Sequence, residues 1–404
     1  MNTVPAIPVS IPLDEPVPGF LYKDIVSKLA YLDPTVQSAE IGEGGREIVL
    51  FLSTAPAAQA EIERKVRHLV EAMADGAFEP DLKVAIDHMD RPVPFAENPM
   101  PALLERGDVV QEGPGYFVMG PMPTRFVNWI ENRILSIADD FNAAPYRFPS
   151  LISPEYLEKV KYFSNFPHSL GFVTHLREDL DVIEAFSQTA CCTHGVLADQ
   201  QDAMADIQAM LAPTICHHLY LALAGKTLPP EGLCATADGH CFRYESINMA
   251  ALERTWNFTM REIIFVGDDD MVAKNLIKVQ ERIVALLDEL GMAYRVENAN
   301  DPFFIGSFRD QAAYQNAFEL KYEIRALLPY NGETVAVSSF NRHKDFFGRI
   351  LDIKLHDGAA ANTGCFGMGF ERIAFAFLAQ FGLDPEIWPA PAQRALEMPL
   401  TGGA

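Results

Sequence analysis

Positive charge is scarce in this sequence. It has 32 lysines and arginines against 55 aspartates and glutamates, which gives a formal net charge of -23 at pH 7. The densest basic stretch, RKVRH at Arg64–His68, is interrupted and flanked by acidic residues. Proteins that bind nucleic acid usually neutralise phosphates with lysine and arginine. The composition therefore predicts no large nucleic-acid surface and leaves room only for a local basic patch.

Long apolar runs and cysteines are also few. No run approaches the roughly 18 apolar residues that a membrane span requires, and the N-terminal residues lack the basic, apolar and small-residue order of a signal peptide. The six cysteines show no disulfide-framework spacing, so we expect free thiols or metal ligands. These absences predict a cytoplasmic protein without a membrane segment. Its 404 residues, 49% of them apolar, suffice for one large or two ordinary domains.

The first 95 residues have the pattern of a small α+β accessory domain. Residues 1–18 are rich in proline and predict extended chain, and GFLYKDIVSKLAYL, REIVLFL and AEIERKVRHLVEAMADG then predict helix, strand and helix. The stretch DRPVPFAENPMP has four prolines in twelve residues, which is typical of a linker. We therefore predict an N-terminal domain with its linker at 1–95 and a second, larger domain at 96–404.

The larger domain mixes helical and extended patterns. TRFVNWIENRILSIADDFNAA has the period of a half-buried helix, and Pro149 and Pro154 in the following stretch predict extended chain. MVAKNLIKVQERIVALLDELG predicts a second amphipathic helix that ends at Gly291, and RILDIKLH alternates like a strand with one buried face. Strands with inserted helices predict an α+β fold with a mostly antiparallel sheet flanked by helices.

Two short stretches carry patterns that suit an anionic ligand. In GCFGMGFER, a glycine-rich turn precedes an apolar helix whose first turn carries Arg372. Such a corner can hold an anion, although a plain tight turn with a surface arginine fits as well. In CFRYE, we expect Arg243 and Glu245 to share one face of a strand. They could grip a triphosphate and a base, or form an exposed ion pair.

In order and spacing, these stretches resemble the three motifs of class II aminoacyl-tRNA synthetases. Residues 140–155, 241–262 and 362–375 correspond to a helix with a proline-bearing strand, an FRxE strand pair with its loop, and GxGxxR. Between them, ELGMAYRVENANDPFF, LKYEIRALLP and VSSFNRHKDF resemble a seryl-tRNA synthetase catalytic domain. The resemblance covers roughly residues 100–385 and implies a class II synthetase-like catalytic domain.

Among seryl-type enzymes, the sequence is most similar to the amino acid:[carrier protein] ligases, a group independent of tRNA that resembles zinc-dependent, methanogen-type seryl-tRNA synthetases. The resemblance implies that Cys216, Glu262 and Cys365 are Zn²⁺ ligands and that Glu262 also belongs to the substrate site. Two thiolates and a carboxylate leave a fourth position open, as in catalytic zinc sites, and the α-amino group of an amino acid can bind there.

The remaining cysteines and the histidines beside Cys216 receive no ligand role from this resemblance. A cytosolic cysteine is most often a small buried apolar side chain, and this is also the alternative for the two cysteines assigned to zinc. We expect it for Cys191, Cys192, Cys234 and Cys241. His217 and His218 are expected in the core or behind the ligands.

The resemblance also implies a two-step reaction. ATP would activate a small amino acid, glycine or alanine, as an aminoacyl-adenylate, with Arg243 and Arg372 as catalytic residues on the phosphates. The phosphopantetheine thiol of a carrier protein would then attack the adenylate, giving an aminoacyl thioester and AMP. Mg²⁺ is expected with ATP, and the implied nucleotide site consists of Arg243, Glu245, Arg254, Thr255, Lys321, Ala336, Val337, Ser338, Ser339 and Arg372.

Three features depart from the family pattern. Ile263 stands where we expect the aromatic residue that stacks on adenine, so Phe242, Phe258 or Phe265 would have to compensate. Ala336 stands where seryl enzymes have a carboxylate that assists Mg²⁺. The long helical arm that grips tRNA in bacterial seryl enzymes is absent.

Two other functions are weighed against this one. A genuine seryl-type aminoacyl-tRNA synthetase is opposed by the net charge and the missing arm, which make a tRNA partner unexpected. A non-catalytic paralogue that acts as a binding or regulatory module is opposed by the retained arginines and ligands and favoured by Ile263. In either enzyme the long helix and proline strand predict a homodimer. Because carrier proteins are acidic, a basic docking patch is also expected, with candidates Arg254, Arg282, Arg342, His343, Lys344 and Arg349.

Overall fold

The computed structural model describes residues 6–397, apart from 57–58, 76, 78, 80, 194, 199, 250, 302 and 304–319. Pro302 and Phe304 of the predicted seryl-type stretch therefore lie outside the described residues. None of the helices in this part of the chain has the length and apolar content needed to cross a membrane. The helices are α1 (Tyr22–Leu29), α2 (Gln59–Ala74), α3 (Met100–Glu105), α4 (Pro121–Asp139), α5 (Pro154–Lys159), α6 (Tyr162–Asn165), α7 (Leu180–Thr189), α8 (Cys216–Ala222), α9 (Asp269–Glu289), α10 (Phe346–Leu351), α11 (Phe370–Phe381) and α12 (Ala390–Glu397).

The strands range from two to twelve residues in length. In chain order they are β1 (Ile7–Pro12), β2 (Val36–Ile41), β3 (Glu47–Leu52), β4 (Val84–Asp87), β5 (Val109–Gly113), β6 (Tyr116–Met119), β7 (Ala144–Pro145), β8 (Leu151–Ile152), β9 (Phe172–Val173), β10 (Cys192–Thr193), β11 (Val196–Leu197), β12 (Ala209–Leu211), β13 (Leu233–Phe242), β14 (Asn257–Gly267), β15 (Tyr294–Asn298), β16 (Lys321–Leu328), β17 (Glu333–Lys344) and β18 (Asn362–Gly369).

An eight-stranded sheet organises the larger part of the chain. Its strand order is β4-β15-β16-β17-β18-β14-β13-β7. Neighbouring strands are antiparallel except β13 and β7, which run parallel. The predicted α+β class with a mostly antiparallel sheet flanked by helices is confirmed.

The two faces of this sheet differ because successive side chains of a strand point to opposite sides. On one face, the apolar stripes of α4, α9 and α11 form the main core, in which Phe126, Ile283 and Phe377 share a cluster with Phe265 and Phe366 of the sheet. The amphipathic patterns predicted for the two long helices are confirmed. The other face of β14 and β18 carries the candidate site.

The N-terminal residues form a separate sheet with its own core. β1, β3 and β2 are antiparallel neighbours in that order. Ile25 of α1, Leu50 of β3 and Val66 of α2 are fully buried in this core. The helix, strand and helix predicted here are present. β4, which precedes the proline-rich stretch, pairs with β15 at the edge of the eight-stranded sheet.

Two predictions of extended chain are confirmed only in part. In RILDIKLH, Arg349–Leu351 belong to α10, where Phe347 and Leu351 are buried on one side of the helix, and only Lys354 pairs as in a strand, through isolated bridges to Thr227 and Ala360. The stretch with Pro149 and Pro154 contains β7 and β8, as predicted, but Pro154 then starts α5. Proline suits the first helical turn, where its missing N–H needs no partner, and the side chain of Ser153 caps that turn by accepting a hydrogen bond from the Tyr156 N–H at 3.4 Å.

The two stretches with anion-binding patterns also differ from their predicted conformations. Arg243 and Glu245 do not share a strand face, because β13 ends at Phe242 and both residues lie in the following loop. The glycines of GCFGMGFER lie within β18 and not in a turn. Close packing explains two of them: a Cβ at Gly364 would lie 2.8 Å from Val272 Cγ1, and a Cβ at Gly367 would lie 2.9 Å from Met260 Cε. Arg372 does occupy the first turn of α11, as predicted.

Candidate active site

Three side chains that can ligate a metal converge on the sheet face opposite the main core. Cys216 begins α8, Glu262 lies in β14 and Cys365 lies in β18. One ligand atom from each lies within 4.8 Å of the others, and all three residues are buried. In the sheet, Glu262 pairs with Gly367 and Ile264 pairs with Cys365, so the carboxylate and the thiol project from adjacent strands onto one face. The structure therefore brings together the three residues predicted as zinc ligands, hereafter the Cys-Glu-Cys triad.

The triad itself contains no positive group that could balance the negative charges of its two thiolates and its carboxylate. Burial raises the pKa of Glu262 to about 7, and its Oε2 atom is buried without a hydrogen-bond partner among the described residues. Hydrogen bonding to Cys216, together with burial, raises the pKa of the Cys365 thiol well above its usual range. A bound cation would favour the anionic forms of all three groups. Two sulfurs and one oxygen suit a divalent ion of borderline softness such as Zn²⁺.

Two polar residues that sequence reasoning missed support the triad. Thr214 Oγ1 donates a hydrogen bond to Glu262 Oε1 at 3.2 Å and lies 3.5 Å from Cys216 Sγ. Asn341 Nδ2 donates to Cys365 Sγ at 3.7 Å. Asn341 occurs in VSSFNRHKDF, a stretch quoted for the family resemblance, and Thr214 lies two residues before the predicted ligand Cys216. Their position near predicted site residues is the one signal that the sequence offered, because the hydrogen bonds join distant segments.

The histidines beside Cys216 lie in aromatic surroundings, as expected. The His217 ring packs edge-on against Tyr156 and Phe347, with ring centroids 5.6 and 5.1 Å away. Burial lowers the pKa of His217 to about 3, so this side chain is neutral at physiological pH. His218 stacks on Phe148 at a centroid distance of 5.5 Å. Both are core residues.

The prediction of buried cysteines outside the triad is only partly correct. Cys241 is buried and Cys234 is partly buried, whereas Cys191 and Cys192 are exposed. The exposed pair follows α7, which has no buried residue. The general tendency of cysteines to be buried therefore gave the wrong prediction for these two residues, because the whole segment around them lies on the surface.

Two predicted nucleotide-site arginines, Arg254 and Arg372, lie beside the carboxylate of Glu245, and the third, Arg243, donates to the Pro213 carbonyl at 3.0 Å. Arg254 Nη1 donates to Glu245 Oε2 at 2.9 Å, and Arg372 Nη2 lies 3.9 Å from Glu245 Oε1. Burial lowers the pKa of Arg372, and the charges of Arg254 and Arg243 lower it further while Glu245 opposes them. Arg243 also acts electrostatically on Glu262, whose pKa its charge lowers. Two guanidinium groups beside one carboxylate, with the charge of Arg243 acting on both Arg372 and Glu262, give positive charge near the triad that suits a polyphosphate.

Lys321, also predicted in the nucleotide site, is held by acidic residues. Its Nζ lies 2.7 Å from Asp301 Oδ1 and 3.0 Å from Glu323 Oε1, and its side chain is 9% exposed. Burial would lower the pKa of Lys321, but the two carboxylates outweigh it and raise the pKa. This side chain is therefore a fixed cation. Thr255, from the same predicted set, is buried.

The predicted nucleotide residues 336–339 of β17 divide between the two faces of the sheet. Ser339 pairs with Glu323 and with Gly367, in one row with Glu262. Ser338 pairs with Met368 of the main core, and its buried Oγ has no hydrogen-bond partner among the described residues. The other two members lie at a β-bulge: Val337 is buried in the main core, and the Ala336 carbonyl accepts from Arg372 Nη1 at 3.3 Å.

The departure noted at Ile263 has a structural explanation. Ile263 neighbours Glu262 in β14 and therefore points to the opposite face, where it is fully buried in the main core. It cannot contact a ligand beside the triad. Phe258, named above as one aromatic that could compensate, lies on the arginine side: the Arg243 guanidinium is 5.3 Å from its ring centroid. The interpretation of Ile263 as the adenine-stacking position is wrong.

Five of the six candidate docking residues are paired with acids, whereas His343 Nδ1 lies 3.2 Å from the hydroxyl of Thr363. Asp269 binds both Arg342, at 2.6 Å, and Lys344, at 3.2 Å. Arg282 pairs with Asp140 and Arg349 with Asp345, as Arg254 does with Glu245. The structure therefore does not assemble these residues into an unpaired basic patch.

No family model matches the chain. It is 32% identical over 251 residues to "Amino acid--[acyl-carrier-protein] ligase 1" of Bradyrhizobium diazoefficiens, which covers 62% of this chain and 75% of that protein. Ligase 2 of the same organism is 30% identical over 261 residues, covering 64% and 76% respectively. The type-2 serine--tRNA ligase of Methanopyrus kandleri is 26% identical over 261 residues, covering 61% of this chain and 50% of that protein.

Solved structures show the same fold. The seryl-tRNA synthetase of M. kandleri, in complex with a tRNASec of A. aeolicus, superposes with a TM-score of 0.70 at 20% identity, covering 97% of this chain and 78% of that one. The cytoplasmic serine-tRNA ligase of Naegleria fowleri with AMP gives 0.58 at 14% identity, covering 84% and 71%. The predicted class II synthetase-like fold is confirmed.

Proposed function

The chain belongs to the amino acid--[acyl-carrier-protein] ligases, and from this premise we propose that it activates glycine or alanine beside the Cys-Glu-Cys triad and transfers it to a phosphopantetheine thiol. It is a ligase that forms an aminoacyl-carrier protein. The family implies ATP as co-substrate, with Mg²⁺. The observation that carries the proposed site is the convergence of Cys216, Glu262 and Cys365 beside the arginines.

We propose that Cys216, Glu262 and Cys365 hold Zn²⁺. The buried, unpartnered Glu262 Oε2 and the two neighbouring thiols fit this ion. When bound, it would supply a Lewis acid with an open position for the neutral α-amino group of the substrate. Thr214 and Asn341 would orient the ligand atoms by the hydrogen bonds that they donate.

In the first step, the substrate carboxylate would attack the α-phosphorus of ATP, and the bond to pyrophosphate would break. Arg243 and Arg372 would neutralise phosphate charge, Glu245, Arg254 and Thr255 would hold the rest of the nucleotide, and Phe258 offers its ring beside Arg243. Lys321 and residues 336–339 complete the proposed nucleotide site. A fixed cationic cluster needs little rearrangement as charge develops, so it favours the transition state.

In the second step, the carrier thiol would attack the carbonyl carbon of the aminoacyl-adenylate. The bond to the phosphate oxygen would break, AMP would leave and a thioester would form. Both steps use groups of the substrates as nucleophiles. This chain supplies charge, orientation and exclusion of water.

The domain and assembly predictions extend this proposal. We propose that residues 6–75 are the accessory unit of the predicted 1–95 segment, since β4 already belongs to the eight-stranded sheet, and that the catalytic domain at 96–404 acts in the cytoplasm as a homodimer built on α4 and the strand region after it. Size-exclusion chromatography with light scattering should give twice the chain mass of 44.8 kDa. A stable monomer at working concentration would contradict the dimer.

The likeness to serine-tRNA ligases supports a second candidate, aminoacylation of tRNA. The net charge of -23 opposes it, because tRNA binding requires many phosphate contacts. The experiment is amino-acid-dependent exchange of pyrophosphate into ATP, with and without a zinc chelator, followed by labelling of carrier protein and of tRNA. We expect chelator-sensitive exchange with one small amino acid and label on the carrier alone. Label on tRNA alone would support the second candidate, and no exchange with any amino acid would support a non-catalytic module.

A further inference from the structure

The N-terminal unit, residues 6–75, contacts the loop that carries the proposed ATP-binding residues. This 243–256 loop joins β13 to β14 and contains Arg243, Glu245, Arg254 and Thr255. The contacts come from α1 and the residues that follow it. The triad and the reaction steps described above do not use this unit.

Three hydrogen bonds join the unit to the loop. Asn248 Nδ2 donates to the Ser27 carbonyl at 2.8 Å, and Ser246 Oγ donates to the Ala30 carbonyl at 3.0 Å. Tyr31 OH donates to the carbonyl of Tyr244 at 3.0 Å. The two acceptors of the unit lie at the C-terminal end of α1, where helix geometry leaves carbonyls without partners. The loop thus caps the helix, and the helix fixes the loop.

These bonds hold the chain on both sides of Glu245. Tyr244 precedes Glu245 and Ser246 follows it, and each is bonded to the N-terminal unit. Ser246 has a φ of 52°, in the left-handed region that a residue with a side chain rarely adopts. Such a conformation persists where its surroundings hold it, and the bond to Ala30 is such a contact.

Tyr31 lies close to the charged centre of the nucleotide site. Its ring packs edge-on against His168 at a centroid distance of 5.0 Å. Burial raises the pKa of Tyr31, and the negative charge of Glu245 raises it further while Arg254 opposes it. The hydroxyl therefore keeps its proton and remains a donor. It reaches the loop beside the carboxylate that orders Arg254 and faces Arg372.

We infer that the N-terminal unit is a positioning element for ATP: through Tyr31 and the carbonyls of Ser27 and Ala30 it fixes the 243–256 loop so that Glu245 can align Arg254 and Arg372 before the nucleotide arrives. This inference rests on the proposed ATP site. It assigns Tyr31, Ser246 and Asn248 as positioning residues. They act through the loop and do not touch the reacting atoms.

The test uses the full chain with Tyr31→Phe, Ser246→Ala and Asn248→Leu, each of which removes one donor. Tyr22→Phe is the matched control, since it removes a hydroxyl from α1 in the same unit. Hydrogen exchange of the 244–248 amides is measured without ATP. ATP binding is measured by equilibrium dialysis, which needs no turnover. Pyrophosphate exchange gives kcat and the KM values for ATP and for the amino acid.

We expect faster exchange of the loop amides in the three variants and not in the control. Loss of one ordinary hydrogen bond should weaken ATP binding roughly three- to tenfold, with the KM for the amino acid and the metal content unchanged. Unchanged loop exchange would overturn the inference, as would faster exchange with unaltered ATP binding. Failure of the proposed function looks different: the unaltered protein itself would not exchange pyrophosphate, while the amide measurement would still show whether the unit holds the loop.

Discussion

Glu262 and Cys365 project from neighbouring strands onto the same face of the eight-stranded sheet, two register positions apart. Gly367 stands directly opposite Glu262, and a Cβ there would lie 3.4 Å from Glu262 Cγ and 2.9 Å from Met260 Cε. The absence of a side chain at this position keeps the space beside the carboxylate open. Cys216, from the start of α8, completes the triad from outside these two strands.

Replacing Cys365 with alanine should abolish metal binding. Two ligands, Cys216 and Glu262, remain, and the site loses the third donor that a catalytic zinc ion requires. Metal content by mass spectrometry should fall from about one ion per chain to near zero, and exchange activity by at least about 100-fold. Cys241→Ala is the control, since Cys241 is buried outside the triad. Full metal content in Cys365→Ala would refute the site.

Asn341→Ala should weaken metal binding without removing a ligand. The variant loses the hydrogen bond donated to Cys365 Sγ. Loss of such a supporting contact typically lowers metal affinity by about 10- to 100-fold. Competition with a chromogenic chelator measures the affinity. Asn331→Ala, in the turn before β17, should leave it unchanged, and equal affinities in the two variants would contradict the role of Asn341.

Arg372→Lys should impair adenylation although it keeps the positive charge. Lysine cannot reproduce the planar, multiple donors by which Arg372 reaches both Glu245 and the Ala336 carbonyl. We expect the rate of pyrophosphate exchange to fall by about 100-fold, as when one transition-state donor is lost. Arg64→Lys, on the exposed surface of α2, is the control. Near-normal exchange in Arg372→Lys would exclude Arg372 from the phosphate site.

Ile263→Phe should destabilise the fold and leave ATP binding unimproved. The side chain is fully buried in the main core, so a larger ring would overpack it at a cost of about 1–3 kcal/mol. Denaturant unfolding measures this cost. Phe258→Leu, in contrast, should raise the KM for ATP with a smaller effect on unfolding, because Phe258 supports Arg243 at the site edge. A gain in ATP affinity in Ile263→Phe would restore the adenine-stacking interpretation.

The candidate site residues could be predicted from the sequence because sequence motifs depend on residue identity and order. The Cys-Glu-Cys triad, Arg243, Glu245 and Arg372 were all located by matching short patterns to known family motifs. Long periodic patterns also predicted α4 and α9, since a 3.6-residue repeat buries one stripe wherever the helix packs. The α+β class followed from these elements.

The errors occurred where short segments depend on their surroundings. RILDIKLH has a strand-like alternation, yet its first three residues end α10 and only Lys354 forms bridges. An eight-residue stretch is too short to distinguish the helical period from the strand period. The exposure of Cys191 and Cys192 and the ion pairs of Arg342 and Lys344 with Asp269 were likewise decided by neighbours elsewhere in the chain.

By itself, the sequence determined the family and the α+β class and identified Cys216, Glu262, Cys365 and the arginines as candidate site residues, because these depend on local pattern. Only the tertiary structure decided which sheet face each residue occupies, which placed Ile263 in the core and Glu262 in the site. It also decided that Thr214 and Asn341 support the triad and that Tyr31 reaches the 243–256 loop. Contacts between segments more than 200 residues apart, such as Tyr31 with Tyr244, exist because chain folding brings those segments together, and no local pattern encodes them.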